Sequence, residues 1–454
     1  MSLLTKDKDF YKTLAHLMVV VVLQNVVAYS VNMADNLMLG AYSQASLSGA
    51  ATVNMIQFVF QSIVNALGEG VVILSSQYWG QRRTEPVRRI IGIALTGAFA
   101  VGLTVTALTS LFPRQIVGLF TTDAAIIEQG AAYLELIRFT YVLFALTAVL
   151  NAALRTIGSV NITFGVSVLS LVVDVSINYA LIFGRFGMPE LGIRGAAVGT
   201  LTARTLEVLV TGGYLLLRDQ KLRLFRQGLF RLDKLLAKDY LRVVRNVVTS
   251  SLLWSLATPI QTGILGHLTA DAIAANSVST TLYQYLKVVT QGEALASSVI
   301  VGRTVGRGDM GKIREYSRTL QVIYMAIGLV LGVALYFVRI PLLTLYDLTP
   351  AAREMANGIL ILLCFVMVGM AYEMPVSAGI IRGGGDTRYS LVTNLISTWG
   401  IVMPLSFAAA FWFKWPVVAV VACLNSDQFF KCIPAAVWAN SYRWVHSLTQ
   451  KEEA

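Results

Sequence analysis

Long apolar runs recur along the whole chain, broken by short stretches of Arg, Lys, Asp, Gly and Pro. Twelve runs have helix length: residues 14–39, 47–78, 89–112, 131–153, 160–184, 193–217, 243–267, 273–301, 319–341, 356–381, 389–413 and 416–440. Each exceeds the roughly 20 residues that a helix needs to cross a bilayer. A bilayer offers the backbone no outside hydrogen-bond partner, so each run is predicted to be a helix. The ten-residue alternation of a barrel strand is absent. The first run is too long for the apolar core of a signal peptide and lacks a cleavage pattern, so it reads as a permanent span.

Composition agrees. Of 454 residues, 56% are apolar and 13% charged, against about 25% charged in a soluble globular protein. Mean hydropathy is +0.66. These values exclude a soluble enzyme, a nucleic-acid binder and a disordered chain. The net charge of +11 is distributed unevenly. With twelve spans, 26 Lys and Arg residues fall on one side, together with both termini, and seven on the other. The positive-inside rule assigns the basic side to the cytoplasm, facing anionic lipid. The one long polar stretch, Arg218 to Arg242, divides the spans six and six. Its Leu222, Leu224, Phe225, Leu229 and Phe230 suit an amphipathic segment resting on the membrane surface. Cys364, Cys423 and Cys432 lie in apolar runs, which argues against a disulfide framework. His16, His267 and His446 show no metal-ligand spacing.

The two halves resemble each other at a nearly constant offset. The stretch DNLMLGAYSQASLSGA from Asp35 aligns with QTGILGHLTADAIAAN from Gln261 at an offset of 226, bringing Gly40 onto Gly266. QYWGQRR from Gln77 aligns with RTVGRGD from Arg303 at the same offset, and RTIGS from Arg155 with RGGGD from Arg382 at 227. Six helices is an even number, so both halves start on the same face and the repeat is parallel. Such repeats are a transporter architecture.

Ionisable groups inside a bilayer are costly and mark function or pairing. The first half offers Asp35, Glu69, Asp174, Arg204 and Glu207; the second offers Lys287, Glu293, Glu373, Asp427 and Lys431. Asp174 and Asn178 are four residues apart and share a helix face. If that face meets Asp35, two carboxylates and an amide form one pocket. Such a pocket suits a sodium ion held by oxygen ligands, or a proton held by one carboxyl beside the other. Arg204 with Glu207, and Asp427 with Lys431, have the spacing of ion pairs on one helix. Lys287 and Glu293, six apart, face different ways. Glu69, flanked by glycines, and Glu373, without a local partner, are candidate cavity carboxylates for an organic cation; pairing of Glu373 with Lys287 is the structural alternative. Tyr283, Tyr285 and Met370, with Met367, Tyr372 and Met374, supply aromatic faces and thioethers that suit lipophilic cations, or plain helix packing. GGGD at Gly383 to Asp386 lacks the Lys-Ser/Thr of a phosphate loop and reads as a helix-end turn.

These motifs resemble the MATE family, the multidrug and toxic compound extrusion transporters, along nearly the whole chain. The resemblance rests on DNLMLG, SSQYWGQRR, LRTIGS, ASSVIVGRTVGRGD and GIIRGGGDT, and most specifically on DVSINYALIFGRFGMPELGIRGAAVGT in the fifth and sixth spans. It implies two six-helix lobes about a V-shaped cleft that rocks between inward and outward states. It implies efflux of cationic amphipathic compounds in exchange for Na⁺ or H⁺. Carried over by position, the family's first-helix carboxylate is Asp35, and its fifth-helix polar pair is Asp174 and Asn178. The seventh span, VVTSSLLWSLATPIQ, lacks the acid found in members with a second-lobe cation site; Ser250 and Ser251 are its nearest polar substitutes. In the tenth span Ala371 stands near the expected acid, with Glu373 two residues on. These departures favour coupling through the first lobe.

The expected fold is therefore an all-α integral membrane protein of twelve helices in two six-helix lobes. The N-lobe covers 1–217, a cytoplasmic linker 218–242, the C-lobe 243–440 and a cytoplasmic tail 441–454. The expected activity is H⁺- or Na⁺-coupled antiport of organic cations by a monomer in the bacterial inner membrane, with no cofactor beyond the coupling ion, no nucleic-acid partner and no enzyme chemistry. The coupling ion is assigned to Asp35, Asp174 and Asn178, and the substrate cavity to Glu69, Glu373, Tyr283, Tyr285 and Met370. The alternative is a lipid-linked oligosaccharide flippase of the same architecture, which wants a more cationic cavity. A receptor or scaffold without transport leaves the intramembrane acids unexplained.

Overall fold

The computed structural model describes residues 4–225, 229, 231, 233–266, 269–346 and 348–450, so Phe230 and His267 lie outside the described residues. The described chain is helical, with one isolated bridge between Gly385 and Val445. The first half forms α1 (Lys8–Tyr42), α2 (Gln44–Gly80), α3 (Thr84–Leu111), α4 (Pro113–Gly118), α5 (Ala124–Ile137), α6 (Thr140–Thr156), α7 (Val160–Ile182) and α8 (Ile193–Leu217). The second forms α9 (Lys234–Gly266), α10 (Ala270–Arg307), α11 (Met310–Leu343) and α12 (Pro350–Pro375), then α13 (Thr387–Asn394), α14 (Met403–Phe407), α15 (Val417–Leu424), α16 (Asp427–Phe430) and α17 (Cys432–Ser441).

These helices account for the twelve apolar runs. Among the described residues, eight are long and apolar enough to span a membrane, and α5 with α6 makes a ninth, bent by 54°. The remaining three, α8, α9 and α10, carry more polar and charged side chains. The last spans are irregular. Pro375 ends α12 and a π-helical turn, Val376–Ile381, follows. Proline removes a backbone donor, and a shifted hydrogen-bond register accommodates the loss. Two further π turns, Leu395–Val402 and Ala408–Trp412, flank α14.

The repeat is visible in the helix caps. Ser43 caps α2 by accepting from the Ser46 N–H, and Thr269 caps α10 by accepting from the Ala272 N–H. They stand 226 residues apart, the offset read from the motifs. A capping hydroxyl contributes about 1 kcal/mol.

The chain divides into two compact units. One runs from Leu23 to Val244; the other combines the residues up to Val22 with Arg245 onward. Both dividing points fall inside helices, in α1 and α9. In the Leu23–Val244 unit, α7 and α8 pack closely because Gly195 has no side chain to hold off the Leu181 backbone. The segment after α8 differs from the expected surface-resting linker. Leu222, Leu224 and Leu229 are buried in the unit, and the Leu229 carbonyl lies against Gly92 of α3, where no other residue fits. Burial against protein competes with insertion into lipid headgroups, and here protein takes the leucines; Phe225 stays exposed.

In the other unit, the start of the chain is tied to α11. The Thr5 N–H donates to Thr319 Oγ1 at 2.9 Å, the Tyr316 hydroxyl to Asp7 Oδ2 at 2.6 Å, and Phe10 packs on the Tyr316 ring at 4.5 Å. The Tyr316 hydrogen bond, aided by the Phe10 and Asp9 N–H groups and by Lys312, holds the Asp7 carboxyl below its ordinary value. GGGD forms the expected turn: Asp386 caps α13 by accepting from the Tyr389 N–H and also accepts from Trp438 Nε1 at 2.9 Å. The wholly buried Trp444 ring covers Gly384.

Candidate functional site

The strongest constellation lies in the Leu23–Val244 unit. Asp35 stands on α1, Asp174 and Asn178 on successive turns of one face of α7. The Asn178 Nδ2 group donates to Asp35 Oδ1 at 2.7 Å and to Asp174 Oδ2 at 3.1 Å. One amide therefore joins the two carboxylates, which are themselves in side-chain hydrogen-bond contact. The structure thus brings Asp35, Asp174 and Asn178 together. Asp174 is 1% and Asn178 0% exposed.

Further residues complete the pocket. Gly199 of α8 lies against the Asn178 side-chain oxygen, and a Cβ there would collide with it. The Thr200 hydroxyl, which donates to the Ala196 carbonyl at 3.1 Å, lies beside Asp174 and Tyr133 of α5 and interacts with both. Arg204 pairs with Glu207 at 2.8 Å, as the sequence spacing indicates, and its charge also acts on Asp35 and Asp174. The Arg204 guanidinium sits 5.1 Å from the Phe144 ring centre. Asp174 Oδ1 and Asn178 Oδ1 are buried without a hydrogen-bond partner among the described residues. Two spare oxygens beside two carboxylates suit a proton or a small cation. Sequence reasoning missed Tyr133 and Thr200, because nothing in a local pattern shows α5 and α8 closing on the α7 face.

The other unit holds a different arrangement. Asp427 and Lys431 form the expected pair at 2.8 Å, and Lys431 also donates to Asn394 Oδ1 at 3.1 Å. Glu373 hydrogen-bonds Ser377 and lies in the field of Lys431 and Asp427. Lys287 sits 5.0 Å from the centre of the Trp254 ring and feels the charge of Asp427. Ser250 of α9 accepts from Asn394 Nδ2 at 2.9 Å. Among the described residues, two acids, Glu373 and Asp427, thus share this region with three bases, Lys431, Lys287 and Arg382, the last acting on Glu373; the first site has three acids and one base.

The remaining candidates disperse. Glu69 is half-buried on α2 and acts on Arg155. Tyr283 and Met370 are buried in an apolar core, the tyrosine hydroxyl donating to the Met370 sulfur at 2.7 Å. Tyr285, two residues on, faces another way and is half-buried. Glu293 is fully buried, and Met367 and Met374 pack in and against the same core as Met370.

Comparison with known proteins gives a consistent result. The family description MatE matches residues 21–180 and 247–408. A Thermotoga maritima protein described as a probable multidrug resistance protein NorM is 24% identical over 422 residues, covering 93% of this chain and 90% of its own. The crystal structure of a D35N mutant of the Vibrio cholerae MATE transporter VcmN superposes with a TM-score of 0.88 at 15% identity, over 97% of this chain and 98% of that one. A Pyrococcus furiosus transporter of the MOP superfamily superposes with a TM-score of 0.87 at 17% identity, over 99% and 100%.

Proposed function

The chain belongs to the MatE family, and from that premise we propose that it is an ion-coupled antiporter. It exports cationic amphipathic compounds across the bacterial inner membrane by alternating access, with both termini in the cytoplasm. The observation that carries this reading is the Asn178 amide bridging Asp35 and Asp174. The multidrug-resistance relatives support the choice of cargo.

The chemistry follows from the shared pocket. Two carboxyl groups in contact cannot both stay ionised at low cost, so they hold one proton or one cation between them. Asp35 belongs to α1 and its partners to α7, so filling or emptying the pocket changes how firmly α1 is held. With H⁺ as the coupling ion, the proton enters from the outer side onto the Asp35–Asp174 pair and leaves to the cytoplasm. With Na⁺, the ion is cargo held by Asp35, Asp174 and the Asn178 oxygen. An organic cation favours the ionised pocket and the coupling ion neutralises it. Each therefore stabilises a different state, and the two are carried in opposite directions. Glu373 and Glu69 add negative charge that attracts the cation.

The test is ethidium flux from proteoliposomes of the full chain under an imposed pH or Na⁺ gradient. Flux that follows one gradient supports the antiporter and identifies the ion. No flux under either, with transbilayer movement of a fluorescent lipid-linked sugar, replaces this reading with the flippase.

A further inference from the structure

Glu293 of α10 is 1% exposed, and neither of its carboxyl oxygens accepts a hydrogen bond among the described residues. Among the described residues, no other intramembrane acid is in this state. Asp35 and Asp174 share Asn178, Glu207 has Arg204, Asp427 has Lys431, Glu373 has Ser377, and Glu69 acts on Arg155. The dipeptide Gly68–Glu69 recurs as Gly292–Glu293 at an offset of 224, two residues out of the repeat's register of 226, so the two glutamates do not occupy equivalent positions. The first-half glutamate is matched by an arginine, but no cation among the described residues compensates Glu293. An uncompensated carboxylate in a protein interior is strongly disfavoured, and a neutral acid avoids that penalty.

The surroundings explain why no other group reaches it. Gly292 lets Met18 and Val22 of α1 close on one side. On the other, Gly379 of the Val376–Ile381 turn packs on Ala294 and Ser297 of α10. The α1 stretch and the π turn carry no titratable side chain. On α11, the Tyr324 hydroxyl donates to Ser297 and feels the charge of Glu293. On α12, the Tyr372 hydroxyl donates to Gln321 and Glu373 turns to Ser377. Lys287, on α10 itself, lies over Trp254. A hard metal cation would need several oxygen ligands, and the nearby Ser297 and Tyr324 hydroxyls already bond each other.

We propose that Glu293 is a second proton carrier, loaded as a neutral carboxylic acid and emptied once per transport cycle, separately from the Asp35–Asp174 pocket. The proposal rests on the antiporter reading with H⁺ as a coupled ion. The proton taken up is the one released; no bond other than O–H forms or breaks.

The test combines infrared titration with transport by the full chain in lipid. Wild type should show a protonated-carboxyl C=O band that is lost in Glu293→Gln, retained in Asp35→Asn and shifted in Glu293→Asp. In proteoliposomes, Glu293→Gln should lower the limiting ethidium accumulation about tenfold per pH unit of gradient, the signature of one proton fewer per cycle. A band unchanged by Glu293→Gln means an ionised Glu293 and overturns the proposal. A lost band with unaltered accumulation means a structural proton and also overturns it. If Glu293→Gln fails to fold, the shift or constancy of the band in Glu293→Asp decides in the same way. Wild type that moves no ethidium would defeat the antiporter reading, whatever the band shows.

Discussion

At the scale of single residues, Asn178 is the hub of the proposed coupling pocket. Its amide donates hydrogen bonds to both carboxylates and so ties the two acids together. Asn178→Ala should reduce gradient-driven flux at least tenfold and destabilise the protein by about 1–3 kcal/mol, the cost of leaving buried acceptors unmet. Flux and thermal denaturation of the purified variant check both. Gly199→Ala tests the same pocket from α8, since its Cβ would displace the Asn178 oxygen. The overpacking cost is about 1–3 kcal/mol, and flux should fall further than that loss of stability explains. The helical spacing of Asp174 and Asn178 made their shared face legible in the sequence. That the bridge to Asp35 is an amide, and that Thr200 and Tyr133 back it, was not legible, because those contacts come from three separate helices.

At the scale of elements, anchoring and pairing are the testable features. The N-terminal segment is bound to α11 through Asp7, whose carboxyl is held below its ordinary value of 3.8 mainly by Tyr316. A carboxylate lowered in the folded state stabilises above its unfolded value, and the benefit fades as pH falls through the folded value. Asp7→Asn should therefore lower the melting temperature at pH 7, and the difference from wild type should shrink as pH falls below the ordinary carboxyl value of 3.8. The Asp427–Lys431 pair makes a sharper case. Removing one partner of a buried pair costs about 3–5 kcal/mol, whereas apolar replacement of both is often neutral. Lys431→Met should be strongly destabilised, and Lys431→Met with Asp427→Leu should recover most of the loss in a denaturation series. The spacing of that pair was readable in advance. The burial of Leu222, Leu224 and Leu229 was not, because an amphipathic pattern states that a face is apolar without stating what covers it.

At the scale of the whole molecule, the repeat governs the helix plan but not the chemistry. Ser43 and Thr269 cap equivalent helices at the repeat offset, and the motifs at Gly80 and Gly306 end them. The number of spans and the parallel repeat followed from hydropathy and residue spacing, since lipid leaves a buried backbone few options. The division of α1 and α9 between two compact units did not, because it depends on packing between residues far apart in sequence. The charges also diverge: among the described residues, acids outnumber bases around Asp35, and bases outnumber acids around Lys431. That difference supports assigning ion coupling to the Leu23–Val244 unit. The most direct measurement compares wild type and Asp35→Asn in proteoliposomes, with gradient-driven ethidium efflux and gradient-free ethidium exchange recorded side by side. The account predicts that Asp35→Asn abolishes gradient-driven efflux while exchange persists. Efflux that still follows the ion gradient in Asp35→Asn would contradict it.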